Sequence, residues 1–145
     1  LVHNALVHTS EDVTVRLAAR DRGNGLVELS VTDDGPGLTA DEAARHPLLL
    51  DVRSPEEFQG KVHPPCCPRG GRSPGSKNAP LELVLSPEGL LERLGLQPGQ
   101  EVGVYCHSGA RSAVAFFVLR SLGVRARNYL GSMHEWLQEG LPTEP

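Results

Sequence analysis

A chain of 145 residues with 39% hydrophobic and 22% charged residues is the size of one ordinary folded domain with room for a small appendage, which excludes a fibrous or wholly disordered protein. The formal net charge of −4 gives no general electrostatic reason to bind nucleic acid or an anionic membrane. Apolar runs such as Leu48 to Leu50 and Ala113 to Leu119 fall far short of the roughly 20 residues that cross a bilayer, so neither nucleic acid nor membrane is expected as a partner.

The chain starts at Leu1 and lacks a basic flank with a small-residue cleavage site, which reads as a truncated or processed start without a signal peptide. From Leu1 to Thr9, Val2, Ala5 and Leu6 fall at helical spacing and predict the tail of a helix. Val13, Val15 and Leu17 then alternate with polar neighbours, as do Val27, Leu29 and Val31. Asp21-Arg22-Gly23-Asn24-Gly25 between them predicts a β-hairpin turn. Asp33-Asp34-Gly35-Pro36-Gly37 reads as a loop.

Thr39 with Glu42 three residues on is a capping-box pattern for a short helix that Pro47 ends. Leu48 to Arg53 is a short, mostly apolar run suited to a strand buried on both faces of a parallel sheet, and Ser54-Pro55-Glu56-Glu57 opens a helix after it. Gly60 to Pro80 has no periodicity and reads as a long surface loop. Ser86-Pro87-Glu88 opens a helix that Gly95 closes. Glu101 to Tyr105 is the next strand, Cys106 to Arg111 a loop, and Ser112 to Leu122 a helix. Ala126 to Leu130 is a further strand and Ser132 to Gln138 a last helix. The alternation of strand and helix is that of an α/β fold.

Three cysteines, Cys66, Cys67 and Cys106, are an odd set with two adjacent members, a poor disulfide framework that points to a reducing compartment and hence to the cytoplasm. They lack C-x-x-C spacing, and a zinc site recruiting His63 or His107 needs distant residues to converge, so neither metal nor cofactor is expected. Cys66 and Cys67 themselves read as loop residues rather than resolving thiols.

The chemistry concentrates at Cys106-His107-Ser108-Gly109-Ala110-Arg111, set between a strand and a helix. That context puts a thiol at the carboxyl end of a parallel strand, where the ligand sites of open α/β sheets collect. The turn into the helix aims backbone N–H groups at one point near the positive end of a helix dipole, which favours thiolate over thiol. Gly109 lets the backbone curl, and Arg111 supplies a fixed positive charge for an anionic substrate. His107 reads as a solvated loop residue and not as a base.

Leu49-Leu50-Asp51-Val52-Arg53-Ser54-Pro55-Glu56-Glu57-Phe58, Pro74-Gly75 with Asn78 and Pro80, Val104 to Ser112, and Gly131-Ser132-Met133 with Glu135-Trp136 together resemble the rhodanese family, in the right order, from about residue 40 to 142. The resemblance implies a rhodanese-like α/β domain over residues 40–145, with an open, mostly parallel sheet of about five strands flanked by helices. An N-terminal helix and hairpin would form an appendage. It implies a thiosulfate sulfurtransferase that passes sulfur from a small donor anion to cyanide or a thiol through a Cys106 persulfide. The substrate cradle would be His107, Ser108, Gly109, Ala110 and Ser112, Arg111 would orient the donor, and Asp51 and Arg53 would brace the loop. Two departures stand out: Ser73 replaces the family's usual apolar anchor, and Lys61 to Gly70 adds chain before that motif.

Residues 1–39 hold a second, shorter resemblance. Asn4 in His3-Asn4-Ala5 and Asp33 in Val31-Thr32-Asp33-Asp34-Gly35 are similar to the N box and first glycine box of the histidine-kinase ATPase fold, where they would hold nucleotide magnesium and read adenine. That fold's glycine-rich lid has no counterpart here, so vestigial nucleotide binding stands against a plain packing role. The remainder of a kinase, or a second rhodanese-like domain, would then lie outside this chain.

Two other readings of Cys106 remain. Cysteine-dependent phosphatases and arsenate reductases also run from Cys to Arg, but with five residues between them, whereas His107 to Ala110 supplies four, a cradle suited to one sulfur atom. The domain could also be a non-catalytic sulfur carrier or interaction module, because fold does not guarantee turnover.

Overall fold

The computed structural model describes residues 5–8, 14–33, 35 and 37–145, and the chain divides into two compact units, Leu1–Pro36 and Gly37–Pro145. In the first, β1 (Ala5–His8), β2 (Thr14–Gly23) and β3 (Leu26–Asp33) form an antiparallel sheet in the order β1-β2-β3. The expected hairpin is there. Asn24 and Gly25 turn it with φ of 55° and 75°, and the Asp21 carboxylate accepts from Gly23 N–H at 2.7 Å. The helix expected over Leu1–Thr9 is not: Ala5–His8 is a strand whose partners are Leu17 to Thr14 of β2, the rest of that stretch lying outside the described residues. A helix shorter than about 12 residues is marginal without a face to pack, whereas a neighbouring strand gives backbone N–H and C=O groups their partners.

The second unit carries the α/β architecture. Strands β4 (Leu49–Asp51), β5 (Lys77–Asn78), β6 (Glu101–Tyr105) and β7 (Arg125–Asn128) are all parallel in the order β5-β4-β6-β7. The sheet thus has four strands where the sequence resemblance implies about five. One of them, β5, is two residues long and sits inside the stretch that reads as loop. So short a strand has no periodicity to read, and it forms because Ala79 N–H reaches Asp51 O (2.8 Å) while Asn78 Nδ2 donates to the carbonyls of Asp51 and Arg53.

Six helices flank the sheet: α1 (Ala40–Ala44), α2 (Pro55–Phe58), α3 (Leu81–Val84), α4 (Leu90–Leu94), α5 (Ala110–Ser121) and α6 (Ser132–Gln138). Thr39 and Ser54 close the capping boxes of α1 and α2 as their sequences demand. The helix expected from Ser86 starts only at Leu90. Leu50, Val52, Val102, Val104 and Ala126 pack with Ala115, Phe116 and Leu119 of α5 and with Val84 and Leu90. Leu49 and Tyr105 pack with Ala43 of α1 and with Met133, Trp136 and Leu137 of α6. Adjacent Leu49 and Leu50 therefore enter opposite cores, as alternation along a doubly covered strand requires. Complete burial of Leu50 (1% exposed) or Leu119 (0%) is worth about 2–3 kcal/mol each. Among the described residues no helix is long and apolar enough to cross a membrane.

Candidate active site

Cys106 follows the last residue of β6, a central strand gripped on both sides where Val52 N–H donates to Tyr105 O (3.0 Å) and Tyr129 N–H to Val104 O (2.8 Å). The backbone then turns through His107, Ser108 and Gly109 into α5. Gly109 takes φ 90°, and a Cβ there would lie 2.6 Å from Leu130 O, so both conformation and space require glycine. This turn brings Gly109 N–H to 3.1 Å from Cys106 Sγ, to which it donates.

Cys106 is only 1% exposed and shares the aliphatic core beneath α5. Burial alone pushes its thiol up, but the hydroxyl and amide of Ser112, the amide of Ser108 and the hydroxyl of Ser132 outweigh it, holding the thiol below its ordinary value. Neither hydroxyl serves the sulfur alone. Ser112 Oγ donates to Gly109 O (3.0 Å), and Ser132 Oγ lies 2.9 Å from Tyr129 O but 3.8 Å from Cys106 Sγ. Each hydroxyl has one proton, so a full thiolate draws it from a carbonyl toward sulfur.

The first turn of α6 clamps this loop from the other side. Ser132 Oγ accepts from Cys106 N–H (3.0 Å), Met133 N–H donates to Cys106 O (3.1 Å), and His134 N–H donates to His107 O (2.9 Å). Ser132 is fully buried at φ 52°, an uncommon conformation for a residue with a side chain. It is not among the expected site residues, because nothing in residue spacing announces a contact across 26 positions.

Asp51 and Arg53, expected to brace the Cys106 loop, form a buried pair with Arg53 Nε 2.9 Å from Asp51 Oδ1 and Nη2 2.6 Å from Oδ2. Arg53 Nη2 also donates to Gly71 O (2.9 Å), so the loop they hold directly is the one at residue 71. Burial opposes the Arg53 charge, and the Asp51 carboxylate restores it, raising the guanidinium above its ordinary value. Ser73, at the position of the usual apolar anchor, is 3% exposed, and its N–H donates to Tyr105 Oη at 3.2 Å.

Arg111 is committed elsewhere than its sequence position implies. Its Nη1 and Nη2 donate to Glu57 Oε2 (2.7 Å) and Oε1 (2.9 Å), and the guanidinium beside Glu57 holds that carboxyl below the usual carboxylate range. A donor anion at Arg111 competes with this carboxylate. Glu57 is a second residue that sequence reasoning missed, although its place three residues after the Ser54 cap fixes it on the first turn of α2.

His107 is not a free loop imidazole. Cys66 Sγ lies 3.6 Å from its Nε2 and Cys67 Sγ 3.8 Å from its Nδ1, and the His134 ring stands edge-on with centroids 5.9 Å apart. Burial, then His134, lowers the His107 pKa, which keeps the ring neutral. Burial and the neighbouring Cys66 push the Cys67 thiol up. The added segment Lys61 to Gly70 thus runs beside the Cys106 loop. The convergence that sequence distance argued against takes place with Cys66, His107 and His134, while exposed His63 Nδ1 lies 3.2 Å from Pro64 O. Of the cradle, Ser108 and Ala110 are exposed, and Gly109 and Ser112 are buried. Asn4 lies outside the described residues, and Asp33 is described only as the end of β3, opposite Val15.

With this geometry in place, the family is clear: residues 38–139 match the model of the rhodanese-like domain, and the chain belongs to that family. It is 39% identical over 119 residues to the putative thiosulfate sulfurtransferase SseB of Mycobacterium tuberculosis, covering 74% of this chain and 41% of that protein. It is 37% identical over 106 residues to the sulfur carrier protein TtuD of Thermus thermophilus, covering 61% of this chain and 37% of that protein. A crystal structure of a probable thiosulfate sulfurtransferase is 97% identical, with a TM-score of 0.74, over 75% of this chain and 47% of that one. The chain therefore spans about two fifths of the length of these curated relatives.

Proposed function

We propose that this domain is a sulfurtransferase that moves a sulfane sulfur from thiosulfate or a similar donor anion to a thiophilic acceptor, cyanide or a thiol, through a Cys106 persulfide. The supporting observation is the cysteine loop itself: a sulfur at the end of β6, met by the Gly109 amide at 3.1 Å and favoured as thiolate despite burial. In the first step the Cys106 thiolate attacks the outer sulfur of thiosulfate. A Cys106 S–S bond forms, the donor S–S bond breaks, and sulfite leaves with the electron pair. In the second, cyanide attacks the terminal sulfur, thiocyanate forms, and the Cys106 thiolate is regenerated. No external oxidant or proton is required with these reactants.

The amides of the loop suit a persulfide anion as they suit a thiolate, so they stabilise both resting forms and keep the free-energy difference between them small. Arg111 steers the donor anion once Glu57 shares it. The same sulfur loading serves a carrier, as in the sulfur carrier protein of Thermus thermophilus. Phosphatase chemistry is disfavoured by the loop length, since only the four residues His107 to Ala110 separate Cys106 from Arg111. Intact-mass spectrometry after thiosulfate treatment tests the proposal: one added sulfur on the wild type and none on Cys106→Ser is expected, and no addition on either overturns it. Thiocyanate release under excess cyanide then separates turnover from carriage.

A further inference from the structure

We propose that Cys66, His107 and His134 form a zinc-binding site beside the Cys106 loop. Their ligand atoms, one from each residue, all lie within 4.8 Å of one another. Tetrahedral zinc with a thiolate at about 2.3 Å and an imidazole at about 2.0 Å sets sulfur and nitrogen roughly 3.6 Å apart. Cys66 Sγ and His107 Nε2 already stand at 3.6 Å. The remaining closure falls to His134, whose exposed side chain turns toward the metal by giving up its 3.2 Å contact with Gln138.

The outer contacts suit the same assignment. A metal-binding histidine fixes its tautomer by donating its second N–H to a neighbour. Cys67 Sγ faces His107 Nδ1 at 3.8 Å, and a proton on Nδ1 leaves the Nε2 lone pair toward Cys66. Cys67 is buried and Cys66 exposed, so the first serves as the outer partner of His107 and the second as the ligand. The backbones of the two histidines are already tied by His134 N–H donating to His107 O at 2.9 Å, so little ordering remains for the metal to impose.

Three protein ligands leave a fourth position for water or an exogenous thiol. Because His107 directly follows Cys106, an occupied site joins the Lys61–Gly70 segment to the sulfur-carrying loop. This assignment does not depend on the sulfurtransferase reading, and its test needs no activity.

The 145-residue chain, stripped of metal, is titrated with cobalt(II), followed by displacement with zinc. Expected are one cobalt per chain, a near-ultraviolet thiolate-to-cobalt charge-transfer band with the visible bands of tetrahedral cobalt, and loss of both on zinc addition. The charge-transfer band persists in Cys106→Ser, disappears in Cys66→Ser, and needs at least about 10-fold more cobalt in His134→Ala; Cys67→Ala weakens binding roughly 10–100-fold through the outer contact. Cys66 and His134 are exposed, so their variants leave the core intact. A band that survives Cys66→Ser, vanishes in Cys106→Ser, or never forms overturns the proposal.

Discussion

Cys106 and Cys67 are both buried, at 1% and 6% exposure, yet their thiols shift in opposite directions. Around Cys67 the dominant influence is burial, and the adjacent Cys66 adds to it; the charged form is disfavoured. Around Cys106 the penalty of burial is also the largest single influence, but donors from Ser112, Ser108 and Ser132 converge on the sulfur and reverse the sign. Exposure therefore does not decide the direction in which a thiol shifts in this domain. The hydrogen-bond donors aimed at sulfur do, and they come from the turn between β6 and α5 and from the first turns of α5 and α6.

Spoiling that turn should erase the contrast most completely. Gly109→Ala places a Cβ 2.6 Å from Leu130 O at a backbone φ of 90°. The loop must shift, and the Gly109 N–H moves off Cys106 Sγ. Expected are a loss of about 1–3 kcal/mol of stability in denaturant unfolding and a fall of about 100-fold in persulfide formation rate, the scale seen when an anion-hole donor is displaced. A wild-type rate in Gly109→Ala would show that the amide at 3.1 Å contributes nothing.

A gentler test separates the two thiols without moving the backbone. Iodoacetamide labels thiolates, so peptide-resolved labelling against pH reads each cysteine separately. Cys106, with its pKa lowered, is ionised in a window below the ordinary thiol value where Cys67, with its pKa raised, remains protonated. Cys106 is expected to label at least about 10-fold faster there, the gap narrowing as pH rises through the Cys67 value. Ser112→Ala shifts the Cys106 midpoint upward and Ser132→Ala shifts it less, since Ser132 Oγ is 3.8 Å away. Equal labelling of Cys106 and Cys67 at neutral pH would remove the distinction.

How much of this was legible in the sequence follows from the range of the forces involved. Local chemistry was readable: the Thr39 and Ser54 caps, the hairpin turn, the doubly buried Leu49-Leu50 pair and the loop at Cys106 each depend on residues a few positions apart. The Ala5–His8 strand was not, because its conformation is decided by β2 rather than by its own spacing. Nor were Glu57 on Arg111, Ser132 under Cys106, or Cys66 on His107, separated by 54, 26 and 41 positions. The adjacent cysteines in an added segment were the available hint for the last of these. They look like ordinary loop residues until the fold sets an imidazole against them.

The mildest change is expected at Arg111, whose partner its sequence position conceals. Read from position alone, its charge is free for the donor anion; in the fold, both terminal nitrogens serve Glu57, with Arg111 37% and Glu57 13% exposed at the side chain. Screening at that exposure keeps the pair modest, on the order of 1 kcal/mol. Glu57→Gln removes the competing charge while keeping an acceptor oxygen. Thiosulfate KM is therefore expected to fall about 3-fold at unchanged kcat, whereas Arg111→Ala raises KM by roughly 10-fold. The depressed Glu57 pKa gives a matching pH signature. Its stabilisation is fully present above the ordinary carboxylate value and is lost as pH falls through the folded one, so acid should release Arg111. Wild-type KM should then drift toward that of Glu57→Gln as pH falls, while the variant stays flat. A KM that rises in Glu57→Gln would instead make the carboxylate a positioning partner that aims the guanidinium, and the donor would be read by an Arg111–Glu57 unit rather than by a charge awaiting release.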